Sequence, residues 1–148
     1  MSNKINRKIV LVKRPVGKPQ IENFRLEKTS IPVPEDGHVL CKTIFLSLDP
    51  YMRGRMSAGK SYAPPVEVNE VMCGGTVGQV IESKYSGFSE GDFVVGYGGW
   101  QEYWVQQGKE LKKVDPQLAP ISTAIGVLGM PGVTAFTGLL NIGKPKKG

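Results

Sequence analysis

Hydrophobic and polar positions alternate in short runs over the first two-thirds of the chain, and glycine or proline closes each run. Lys8 to Lys13 is rich in Ile, Val and Leu and stops at Arg14-Pro15-Val-Gly17-Lys-Pro19. From Phe24 to Ile31 the alternation is partial, with Phe24, Leu26 and Lys28 on one face and Arg25 and Glu27 on the other. The turn Pro32-Val-Pro34-Glu-Asp-Gly37 leads into His38 to Leu48, the longest strand candidate. Gly74 to Ser83, Asp92 to Tyr97 and Trp100 to Val105 are the next strands, separated by Ser89-Glu-Gly91-Asp and by Gly98-Gly99. Short strands punctuated in this way predict a small β-barrel or sandwich, not a sheet alternating with helices.

The period changes after Asp115-Pro116. Leu118 to Leu128, with Ala119, Ala124 and Ile125, predicts a helix. In the following stretch Val133, Phe136, Thr137 and Leu140 keep i, i+3, i+4, i+7 spacing. Pro131 can enter near the start of that second helix, and Gly143 with Pro145 marks its stop. Both helices are apolar and short, and an amphipathic helix needs another layer to cover it.

Composition narrows the class. A chain of 148 residues suits one domain with a real core, and 40% hydrophobic with 22% charged residues is ordinary for a globular protein. No run approaches the roughly 18 apolar residues of a membrane span, and the polar start lacks a signal-peptide core. Cys41 and Cys73 make no disulfide framework, so a cytoplasmic setting is expected. The net charge of +6 is concentrated between Lys4 and Lys18 and again at Lys144, Lys146 and Lys147. Aromatic residues do not interleave with these basic stretches, so a solvated basic surface is preferred to a nucleic-acid or membrane platform. An anionic cofactor would also benefit from positive charge nearby.

The chemistry concentrates in Leu46-Ser-Leu-Asp-Pro-Tyr-Met-Arg-Gly-Arg-Met56. An apolar run stops at Asp49-Pro50, where Asp is a good N-cap and Pro is tolerated in a first helical turn. The segment reads as a strand emptying into one tight turn that carries a phenol, a thioether and a guanidinium. At the mouth of a cleft, the Tyr51 phenol can hydrogen-bond a carbonyl oxygen or supply a proton; otherwise it packs beneath the turn. Met52 is cleft lining or core. Arg53 either braces the turn by pairing with a carboxylate such as Asp49 or approaches a cofactor phosphate, and bracing is preferred. Tyr62, in the proline-bounded loop Gly59-Lys-Ser-Tyr-Ala-Pro-Pro65, lines a site or anchors its loop.

Other motifs are negative. Gly74-Gly75-Thr-Val-Gly78 opens a β-like run, whereas a dinucleotide fingerprint must follow a strand and open a helix. Its glycines are expected to allow close backbone packing instead. One histidine, His38, and two cysteines far apart give no three-ligand set, so no metal is expected. There is no nucleophile-elbow motif for a hydrolase triad.

The Leu46–Met56 segment closely resembles the zinc-independent branch of the medium-chain dehydrogenase/reductase superfamily. Within it the resemblance is to the prostaglandin reductase, alkenal double-bond reductase and curcumin reductase group. Gly129-Met-Pro-Gly-Val-Thr-Ala-Phe136 is similar to that family's helix entering the cofactor domain, and Gly98-Gly-Trp-Gln-Glu-Tyr-Trp104 to the turn re-entering its barrel. Each motif alone could occur in an unrelated fold; their order and separation together carry the resemblance, from the first strand to Gly148.

The resemblance implies a mainly β fold. Residues 1–118 would form a GroES-like, partly open β-barrel that binds substrate. Residues 119–148 would be a helical lead-in toward a Rossmann domain absent from this chain. It implies an NADPH-dependent reductase of the carbon–carbon double bond of enones or enals, active only with that second domain. Tyr51 would be catalytic, holding the substrate carbonyl beside the nicotinamide. Met52 and Tyr62 would line the substrate site, with Tyr62 matching a tyrosine of the bacterial curcumin-reductase-like members. Thr134 would lie near the nicotinamide carboxamide, unless its hydroxyl bonds its own preceding turn, and Met130 carries the same two readings. Together with Arg53 these are the cofactor-binding candidates. The pyrophosphate fingerprint and the residue selecting NADP over NAD lie outside the sequence. Implied partners are a small enone or enal and, for the whole enzyme, a second copy of itself. The competing reading is a stand-alone barrel-type binding or interaction module whose helices dimerise.

Overall fold

The structure is a computed structural model and describes residues 5–147, so residues 1–4 and 148, the ends of the two expected segments, lie outside it. Among the described residues, seven strands form two antiparallel sheets that do not close on each other. β1 (Ile5–Leu11) and β2 (Phe24–Ser30) make a hairpin. The second sheet runs β6 (Tyr103–Gln107), β3 (His38–Leu46), β4 (Thr76–Ser83), β5 (Phe93–Gly96) and β7 (Lys112–Val114) in spatial order. This mainly β, partly open barrel agrees with the fold predicted from the alternation.

The hairpin is tied to the five-stranded sheet by polar groups. The Ile9 amide donates to the Trp100 carbonyl at 2.8 Å, and the Met72 amide to the Ile9 carbonyl at 3.0 Å. Asn6, almost fully buried, does what a strand neighbour would do. Its Nδ2 donates to the Tyr103 carbonyl and its Oδ1 accepts from the Tyr103 amide, both at 2.9 Å. A side-chain amide thus satisfies edge groups of β6 that would be costly to bury unpaired.

Two apolar clusters fill the barrel. One gathers Val39, Cys41, Val80, Val94, Trp104 and Leu111; the other gathers Leu11, Met52, Met56, Val66 and Met72. Trp104 is 2% exposed, and its Nε1 donates to Thr43 Oγ1 at 3.1 Å. Its ring packs on bare backbone. A Cβ on Gly78, Gly96 or Gly98 would come within 2.9, 2.7 or 2.5 Å of the indole. The expectation that Gly78 serves close packing is thereby met, and Gly74, where a Cβ would sit 2.7 Å from Leu46, serves it too.

Several boundaries differ from the pattern. β7 was not predicted, since Lys-Lys-Val at a sheet edge has no apolar period. The strand expected at Trp100 begins at Tyr103, because Trp100 to Glu102 are spent bridging to β1. The predicted helix over Leu118 to Leu128 is only a 3-10 turn, Ile121–Ile125, entered from Pro120 and ended at Gly126. The backbone leaves helical geometry at Gly126 and doubles back so tightly that a Cβ on Gly129 or Gly132 would collide with the carbonyls of Ala124 or Val127. The second helix begins as α2 (Met130–Phe136) and continues with wider π-type winding from Thr137 to Gly143. None of these C-terminal elements contains a buried residue.

Candidate active site

β3 ends at Leu46, and α1 (Tyr51–Arg55) follows as a single helical turn. The Asp49 carboxylate makes no capping bond, contrary to the expected cap. Its main-chain carbonyl accepts from the Met52 amide at 3.1 Å and starts the turn, with Pro50 at the cap position. Met52 is 3% exposed and belongs to the second core cluster. Of its two readings the structure therefore takes core, and Met52 lines no pocket with Tyr51.

Arg53 braces, but not through Asp49. Its Nε donates to the Gly17 carbonyl at 3.0 Å, Nη2 to the Pro15 carbonyl at 3.2 Å and Nη1 to Ser57 Oγ at 2.9 Å. A planar fork suits such divergent acceptors, and this use leaves the guanidinium committed to protein oxygens. Arg14 completes the bracing. Its Nη1 donates to the carbonyls of Met56 and Val66, at 3.1 and 3.0 Å, on either side of the loop that carries Tyr62. Tyr62 itself is 86% exposed at the tip of that loop and does not reach the Tyr51 pocket.

Tyr51 is half-buried, packed on the edge of the core cluster beside Cys73. It lines a pocket of about 90 Å³ with Ser47, Asp49, Tyr97, Ile125 and Met130 among its walls. Burial pushes the Tyr51 phenol above its ordinary value, and the nearby Cys73, Asp49 and Tyr97 push it the same way, while the Arg55 guanidinium opposes them. The phenol is therefore a protonated donor throughout the neutral range. Burial likewise raises the Cys73 thiol against the pull of Arg55, and raises Cys41, deep in the barrel, to about 12. Arg55 Nε is buried without a hydrogen-bond partner among the described residues.

Of the residues singled out in the sequence, the structure brings Tyr51 and Met130 into one pocket. Thr134 is outside it, with its hydroxyl donating to the Met130 carbonyl at 2.8 Å, the local bond weighed as its alternative. Sequence reasoning missed Arg55 and Tyr97. Arg55 had a usable signal, being four residues after Tyr51 and so on the same face of a helical turn. Tyr97 had none, because only the pairing of β4 with β5 carries it to Tyr51.

The pocket has room for one small flat group, at whose edge the end of a dinucleotide could lie. Met130, Ile125 and Ala124 offer an apolar wall for a flat ring, and the Tyr51 phenol offers a donor. The described residues present no glycine-rich turn between a strand and a helix to cradle a pyrophosphate. No three His, Cys, Asp or Glu side chains come together as a metal site among the described residues. None of their helices is long and apolar enough to cross a membrane.

Comparison with known proteins bears on the same site. The family described as the N-terminal domain of oxidoreductase matches residues 7–114. NADPH-dependent curcumin reductase of Escherichia coli (strain K12) is 52% identical over 143 residues, which are 97% of this chain and 41% of that protein. Prostaglandin reductase 1 of Bos taurus is 38% identical over 135 residues, 89% of this chain and 39% of its own. Among solved structures, that of CurA from Vibrio vulnificus in complex with NADPH superposes with a TM-score of 0.89 at 52% identity, covering 96% of this chain and 42% of that one. The chain spans about two-fifths of the length of these curated relatives.

Proposed function

We propose, from the premise that this chain belongs to the N-terminal oxidoreductase domains of the zinc-independent medium-chain dehydrogenase/reductase group, that it forms the substrate side of an NADPH-dependent reductase. The reaction is reduction of the carbon–carbon double bond of an α,β-unsaturated ketone or aldehyde. The observation that carries this reading is a protonated phenol, Tyr51, set at a small apolar pocket walled by Met130 and Ile125.

When bound, the cofactor supplies a hydride for the β-carbon. Tyr51 donates a hydrogen bond to the substrate carbonyl oxygen, where negative charge grows as hydride reaches the β-carbon, and a proton from solvent to the α-carbon then turns the enolate into the saturated product. A donor fixed at that oxygen stabilises the transition state more than the ground state. Ile125, Ala124 and Pro131 shield the reacting carbons from water on one side. Arg53 and Arg14 hold the turn and the loop beside it in place. NADPH rather than NADH is taken from the named relatives.

The test is NADPH oxidation with enones and enals by this chain joined to a cofactor-binding half. Tyr51→Phe is expected to lower kcat on the order of 100-fold while the KM for NADPH stays within about twofold. An unchanged kcat would remove Tyr51 from the chemistry, and no turnover of any enone by the parent would remove the reaction itself.

A further inference from the structure

Tyr97 is a large aromatic side chain, 79% exposed, at a position where the surrounding backbone is held from both sides. Its amide donates to Gln106 Oε1 at 3.0 Å, and Gln106 Nε2 is in turn bonded to Glu110. The next amide, that of Gly98, donates to buried Thr76 Oγ1 at 3.0 Å, and the Gly99 amide donates to the Gly74 carbonyl at 3.1 Å. On either side of Tyr97 stand Gly96 and Gly98, which cannot carry a Cβ because the Trp104 indole lies against them. The core thus forces glycine before and after Tyr97 yet leaves the phenol itself outside. Binding side chains are commonly presented this way, on irregular backbone immobilised by a rigid scaffold.

The ring's position is specific. Tyr97 lines the 90 Å³ pocket of Tyr51, and it also lines a larger hollow of about 410 Å³ bounded by β7, Leu128 and Val133. Val95, Gly96, Ala124 and Met130 are shared by both spaces, so Tyr97 stands at their junction. The smaller space suits an enone head and little else. A substituent that reaches from the smaller space into the larger one passes Tyr97, which lines both.

We propose that Tyr97 is the specificity-determining wall of this site, stacking on a flat conjugated group attached to the enone and so favouring aryl-substituted enones over short aliphatic ones. The inference rests on the enone reading above and adds the substrate class to it. The aromatic face does the work and the hydroxyl does not, so Phe replaces Tyr97 and Ala does not. The gain from one offset-stacked aromatic contact corresponds to a factor of about ten.

The experiment uses the chain joined to its cofactor-binding half and two substrates, 4-phenyl-3-buten-2-one and 3-buten-2-one. In Tyr97→Ala the ratio of kcat/KM for the aryl enone to that for the short one is expected to fall about tenfold. The dissociation constant of the saturated product 4-phenyl-2-butanone, read by tryptophan fluorescence, is expected to rise about as much. Tyr97→Phe should hold both within twofold. A ratio and a product affinity unchanged in Tyr97→Ala overturn the role of Tyr97 while leaving enone reduction standing. A parent enzyme that reduces neither enone overturns the reaction, and this inference with it. Because the side chain is exposed, Tyr97→Ala should unfold at the parent's temperature.

Discussion

The barrel and the C-terminal helices both carry many apolar side chains and put them to opposite use. In the barrel, Leu11, Met72, Val39, Val77 and Trp104 are all nearly inaccessible. Beyond Leu111 no described residue is buried, although Val133, Phe136 and Leu140 keep the spacing of a core-facing helix. The helical period decides the local winding, while only a facing layer decides burial. Tyr51 sits at the seam of the two regions, fixed by the barrel and roofed by Met130 and Ile125 from the helices. One wall of the pocket is therefore anchored in a packed core and the other is not.

The largest test of this contrast compares two aromatic deletions. Trp104→Ala removes a ring enclosed by three glycines and is expected to cost about 3–5 kcal/mol in urea denaturation. Phe136→Ala, at the opposite extreme, should stay within about 0.5 kcal/mol. A cost above about 1 kcal/mol for Phe136→Ala would mean that the helices are covered in solution, and would erase the contrast.

A pH series sharpens the barrel side. The Cys41 thiol is raised by burial to about 12 in the fold, against 9.0 when unfolded. The folded chain therefore holds a proton that the unfolded chain releases first. This contribution is complete below about pH 9 and is lost as pH climbs toward 12, at up to roughly 1.4 kcal/mol per pH unit. The urea midpoint should decline less steeply over pH 9–11 in Cys41→Ala than in the parent. Parallel slopes would show that Cys41 is solvated.

Much of this was legible in the sequence, for local reasons. β2 starts at Phe24 as the alternation predicted, and β3 starts at His38 directly after the Pro-rich turn. The Asp49-Pro50 stop gave the α1 turn and with it the place of Tyr51. What was not legible depends on distance along the chain. Asn6 meets Tyr103 across 97 positions, and nothing local to Asn6 marks its amide as a strand surrogate. Arg53 was expected to find a carboxylate four residues away; it found main-chain oxygens 36 and 38 residues away instead. The failed helix at Leu118–Leu128 has the same origin, since its composition is helical and the tight backbone reversal around Gly126 and Gly129 is not a property of composition.

The two thiols have one further consequence. Enones and enals are Michael acceptors, and sulfur adds to them as thiolate, not as thiol. Cys73 packs on the same cluster as Tyr51, and Cys41 is buried on β3, opposite Trp104 in the same sheet. Burial holds both as neutral thiols at the pH where the proposed reaction runs. The packing that gives the barrel its core thus also holds both sulfurs in the form less reactive toward the electrophiles of the proposed reaction.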